Sequence, residues 1–148
     1  MFGNDRGQIR EMFVTAWRRA RAGETLEPLE ERIAGVIRDH PEYHGLLEDP
    51  DAVDRDWTPE DGQENPFLHM GMHITIREQV AIDRPAGVRE AHEALSRRLG
   101  STLEAEHEMM ESLGEALWEA QRSGQAPDEQ RYLVAVRKRA GLANEGKQ

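Results

Sequence analysis

Asn65-Pro-Phe-Leu-His-Met-Gly-Met-His73, continuing as Ile74-Thr-Ile-Arg-Glu-Gln-Val-Ala-Ile82, is the stretch that decides the fold class. Asn is a strong helix N-cap, and Pro is favoured at the first helical position because the amide it lacks would be unpaired there anyway. A step of about 100° per residue puts His69, Met72, His73, Ile76 and Val80 on one arc, with Arg77 and Glu78 outside it. The pattern predicts a helix from Pro66 to about Ile82 whose inward face carries two imidazoles among apolar side chains.

The flanking sequence repeats the helical period. Ile9, Met12, Phe13, Ala16, Trp17 and Ala20 recur at steps of three and four, and Gly23 follows as a C-terminal cap. Leu29, Ile33, Val36 and Ile37 form a second run that opens at Pro28 and must stop before Pro41, which itself opens a short turn with Tyr43, His44, Leu46 and Leu47. On the C-terminal side Pro85 restarts a helix through Val88, Leu95 and Leu99. Ser101 with Glu104 forms a capping box for a fifth helix reaching about Gly124. Pro127 opens the last helix, whose basic end Arg137-Lys-Arg139 suits a helix C-terminus. The expected fold is all-α, a single-domain helical bundle of about five to six helices over residues 1–142, with a flexible tail over 143–148.

Residues 48–65 break the pattern. They hold eight carboxylates, one Arg and two prolines without an apolar period, and they read as a long acidic loop between the second and third long helices. The spacing Asp49, Asp51, Asp54, Asp56 lacks the central Gly and terminal Glu of a calcium loop.

Composition narrows the function classes. The chain has 148 residues, 37% hydrophobic and 32% charged, enough for one core. With 29 acidic residues against 19 Lys and Arg the net charge is -10, which opposes phosphate backbones and argues against nucleic-acid binding. No stretch reaches the roughly 18 apolar residues of a membrane helix. The opening Met1-Phe-Gly-Asn-Asp-Arg6 has no apolar run of signal length, so the expected location is the cytoplasm. With no Cys, thiolate ligands, iron-sulfur clusters and a cysteine nucleophile are excluded. Trp17 and Trp118 are expected in the core, and Met70, Met72, Met109 and Met110 are expected as core filling.

The six histidines carry the chemistry. His69 with His73 and His107 with Glu111 stand four apart, which on a helix stacks both side chains on one face about 5 to 6 Å apart. Leu103, His107, Met110, Gly114 and Leu117 share a face, so His107 is expected at a core position, with Glu104 and Glu111 on its flank. A buried polar group left unpaired costs about 1 to 3 kcal/mol, and several imidazoles in one small core are hard to satisfy by hydrogen bonds alone. A divalent metal satisfies them together. The expected ligands are His69, His73, His107 and Glu111, then His44, then His40, whose backbone is extended ahead of Pro41. His92 has Ser96 four residues on and reads as an ordinary core histidine.

The phrases His40-Pro-Glu-Tyr-His44, Asn65 to His73 running into Arg77-Glu-Gln, Asp83-Arg-Pro and Leu113-Gly-Glu-Ala-Leu-Trp-Glu-Ala-Gln121 resemble the bacterial domain of unknown function 1841 over nearly the whole chain. The spacings also show partial likeness to two metal-binding bundles. Hemerythrin-like proteins hold two irons, and His107 to Glu111, His69 to His73 and His44 to Asp49 match their spacings in a different chain order. DinB-like bundles bind one metal through three histidines, which His69, His73 and either His44 or His107 would imitate.

Together these readings describe a metal-binding bundle with a histidine and carboxylate site. Iron is the preferred ion, for oxygen or peroxide chemistry, with zinc or manganese as alternatives. Under the zinc alternative the protein is a hydrolase or transferase, and Glu104 or Glu108 is the expected catalytic general base. The competing class is a non-enzymatic acidic adaptor in which a metal is structural or absent. No substrate is specified, and a bundle of this kind can form a homodimer.

Overall fold

The computed structural model describes residues 6–49, 51 and 65–142, so most of the acidic loop, Trp57 and the tail over 143–148 lie outside the described residues. The elements are α1 (Arg6–Arg21), α2 (Pro28–Arg38), a 3-10 turn over Pro41–Tyr43, α3 (His44–Leu47), α4 (Pro66–Ile82), α5 (Val88–Leu99), α6 (Thr102–Ser123) and α7 (Glu129–Arg139). The protein is all-α, with no strand among the described residues. Among them, no helix is long and apolar enough to cross a membrane. The chain forms two compact units, residues 1–74 and 75–148, and α4 contributes residues to each.

In the first unit α1 packs on α2. Gly23 takes the left-handed conformation (φ +75°) just beyond α1, where a residue with a Cβ would be strained. Pro28 occupies the first turn of α2, and Glu27 and Glu30 form a reciprocal capping box there. The start of α4 follows the sequence: Asn65 Oδ1 accepts hydrogen bonds from the amides of Phe67 at 2.9 Å and Leu68 at 3.3 Å. Phe13, Ala16 and Trp17 of α1, Ile33, Val36 and Ile37 of α2, Leu47 of α3, and Phe67, Met70 and Ile74 of α4 make one apolar cluster. Phe13 meets Phe67 edge to face at 5.7 Å. Arg19 joins α1 to α2 through a two-pronged contact with Glu30, at 3.0 and 2.9 Å.

The second unit is a helical bundle in which α5, α6 and α7 pack pairwise. Val88, Ala91 and Leu95 face Ala105, Met109, Met110, Leu113, Tyr132, Leu133 and Val136 in its interior. Ser101 caps α6, its side chain accepting from the Glu104 amide, and left-handed Gly100 ends α5 just before it. Two polar contacts tie the C-terminal half of α4 to this bundle: Arg77 to Glu106 of α6, and the Tyr132 hydroxyl of α7 donating to Gln79 Oε1 at 2.7 Å. Burial pushes the Tyr132 phenol well above its usual pKa.

Three local expectations change. Helix α5 begins at Val88 rather than at Pro85, because Asp83 caps this end, accepting from the Gly87 and Arg89 amides. Those bonds, the one from Arg89 first, hold the Asp83 carboxyl below its usual pKa. Trp118 is not a core residue: it is 58% exposed, with the Arg122 guanidinium 4.6 Å above its ring. The buried face of α6 is centred on Ala105, Met109, Ser112 and Leu113 and includes Glu106, whereas Leu117 is exposed and His107 sits on the flank. Glu106 is not part of the face that the apolar period predicts, and its arginine partner is what lets a carboxylate lie there.

Candidate metal centre

Three histidines converge in the first unit. His40 follows the last turn of α2, where its amide donates to the Ile37 carbonyl and Pro41 keeps it out of the helical conformation (φ −128°, ψ 68°). That conformation turns the ring back over α2, and its Nδ1 donates to the Val36 carbonyl at 2.8 Å in a buried hydrogen bond. A carbonyl can only accept, so Nδ1 carries a proton, and in the neutral ring the lone pair then lies on Nε2. This is the arrangement by which a metal-binding imidazole is usually oriented, its second nitrogen tied to an acceptor.

His69 and His73 are one helical turn apart on α4, and their Nε2 atoms face each other at 3.2 Å. Ring centroids are 5.2 Å apart for His40 and His69, 4.7 Å for His40 and His73, and 4.8 Å for His69 and His73. Each ring therefore meets the other two at close range, and each offers a nitrogen within 4.8 Å of the others. His40 is 2% exposed and His73 fully buried, with His69 partly exposed. The spacing fits an ion: with metal to nitrogen bonds of about 2.1 Å, two nitrogens 3.2 Å apart subtend about 100°, close to a tetrahedral angle.

The other expected site residues occupy different surroundings. His44 lies tilted against Trp17, ring centroids 4.4 Å apart, and its Nε2 donates to the Ile37 carbonyl at 2.8 Å, so that nitrogen is committed to the backbone. His107 lies on α6 in the second unit, its side chain 36% exposed and its Nδ1 3.5 Å from Glu104. Glu104 and Glu111 are exposed, and Glu108 is paired with Arg139 of α7 at 3.0 Å. His92 on α5 has a buried Nε2 with no hydrogen-bond partner among the described residues. Burial is the main cause that lowers its pKa, with Arg77 adding to the effect and Glu106 and Glu93 opposing it.

Two residues deserved more weight than spacing allowed them. His40 has no helical partner four residues away, and the usable signal was Pro41, which fixes how the chain leaves α2. Tyr43 stacks parallel to His40 at 5.6 Å and meets His69 edge on at 6.2 Å, bringing a phenol ring to the cluster.

Fold and site together define an all-helical protein with a buried histidine cluster able to hold a metal ion. The family described as Domain of unknown function (DUF1841) matches residues 5–138, and the chain belongs to it. No curated protein and no solved structure matches the chain.

Proposed function

We propose that this protein binds one divalent transition metal ion through His40, His69 and His73 and uses it as a Lewis acid. The observation that carries the reading is the facing of the His69 and His73 nitrogens beside a His40 ring whose Nδ1 is tied to the backbone. Imidazole donors without thiolate suit zinc and iron alike. Zinc is favoured over a carboxylate-bridged iron pair because Glu111, the carboxylate expected to bridge, is exposed. The arrangement supports the three-histidine pattern of DinB-like bundles, with His40 in the place expected for His44 or His107.

Elemental analysis of untagged protein, followed by reconstitution with zinc, iron or cobalt, tests the reading. One equivalent of metal is expected, and alanine at His40, His69 or His73 should each weaken binding by at least about tenfold to a hundredfold. Alanine at His44 or Glu111 should leave the stoichiometry unchanged. Two irons per chain would replace this reading with a binuclear one. Failure to take up any metal, or a His73→Ala protein with undiminished affinity, would overturn it.

A further inference from the structure

We infer that Tyr43 is a positioning residue of the metal site, holding the plane of the His40 ring, an inference that rests on the metal reading above. His69 and His73 stand on α4, where the helix fixes their backbone. His40 stands between α2 and the 3-10 turn with a non-helical backbone, so its ring takes its orientation from what touches it. The bond from Nδ1 to the Val36 carbonyl at 2.8 Å pins one edge of the ring. A carbonyl accepts over a broad range of directions, and that bond by itself leaves the ring free to rock about it.

The second restraint comes from the next turn of chain. Pro41 opens the 3-10 turn and the Tyr43 amide donates to the His40 carbonyl at 2.9 Å, a geometry in which side chains three residues apart eclipse. The Tyr43 ring accordingly lies parallel to His40, with 6° between the planes and centroids 5.6 Å apart, within the range of offset stacking. It also meets His69 edge on, at 6.2 Å. One ring thus rests against two of the three histidines. Tyr43 is in turn packed on the apolar cluster of the first unit, which holds it in place. Residues that orient a metal-binding imidazole typically set its affinity by about tenfold or more.

Cobalt binding, read from the visible bands, is compared for the parent, Tyr43→Phe, Tyr43→Leu, His40→Ala and the His40→Ala, Tyr43→Leu double variant, with thermal unfolding of each metal-free protein alongside. Tyr43→Leu should weaken binding about tenfold and change the cobalt bands, whereas Tyr43→Phe, which keeps the ring, should stay within about twofold of the parent with the same spectrum. Tyr43→Met, which fills the space without a planar ring, should follow Tyr43→Leu. In the His40→Ala background, Tyr43→Leu should cost no more than about threefold, because only the edge contact with His69 is left for it to act through. A general loss of packing would instead weaken binding equally with and without His40. Parental affinity and bands in Tyr43→Leu or Tyr43→Met, a Tyr43→Phe protein as weak as Tyr43→Leu, or a tenfold loss that persists in the His40→Ala background would overturn the inference and leave the metal reading standing. A parent protein that takes up no cobalt would overturn both.

Discussion

Replacing Glu106 by Gln is expected to destabilise the protein by about 2 to 3 kcal/mol, although the residue looks like a surface carboxylate in the sequence. Glu106 is buried and meets Arg77 through two parallel contacts, Oε2 to Nε at 2.9 Å and Oε1 to Nη2 at 3.1 Å. Gln keeps the shape and one acceptor but removes the charge, leaving the guanidinium without its carboxylate. Breaking a fully buried pair costs about 3 to 5 kcal/mol; the Arg77 side chain is 26% exposed, so water recovers part of that and the lower figure applies. For a chain of this length each kcal/mol shifts Tm by about 2 to 4 °C, so a fall of about 4 to 12 °C is expected.

Thermal and urea unfolding followed by circular dichroism read the change, with the Arg77→Met, Glu106→Leu double variant as control. The double variant should recover most of the loss because it leaves no buried charge behind. A Glu106→Gln protein within about 0.5 kcal/mol of the parent would refute the assignment of this pair as a buried tie between α4 and α6.

Two further outcomes follow from the same packing. His92 has its pKa lowered by burial, so the unfolded chain binds a proton more readily than the folded one. Its contribution is intact above the unfolded pKa of about 6.5 and is lost as pH falls through the lower folded value; His92→Leu should therefore flatten the stability loss below about pH 6.5, and an unchanged slope would contradict this. Trp17→Ala should cost about 3 to 5 kcal/mol because Trp17 fills the first unit's core, whereas Trp118→Ala should cost no more than about 1 kcal/mol, the value of its exposed contact with Arg122. Equal urea midpoints for the two variants would show that the burial pattern is wrong.

Much of this protein can be read along one dimension, because helix starts, helix stops and apolar period are local properties. Asn65 and Pro66 open α4, Ser101 caps α6 and Gly23 follows α1, since a cap needs only the residues within a turn of it. The pairing of His69 with His73 is legible for the same reason, as one helical turn brings the two rings together wherever the helix packs.

The third ring belongs to a different kind of information. His40 and His44 look equivalent beside Pro41, and no spacing rule separates them. Folding turns His40 toward His69 and His73, while His44 lies against Trp17 with its Nε2 bonded to the Ile37 carbonyl. Trp118 reverses its expected place, and Glu106 is buried where the period marks no buried position: a carboxylate can be buried once an arginine reaches it, and an indole stays outside when its helix turns that face to solvent. These outcomes depend on partners distant along the chain, Arg77 for Glu106 and Trp17 for His44, and local periodicity carries no record of which distant residues will meet.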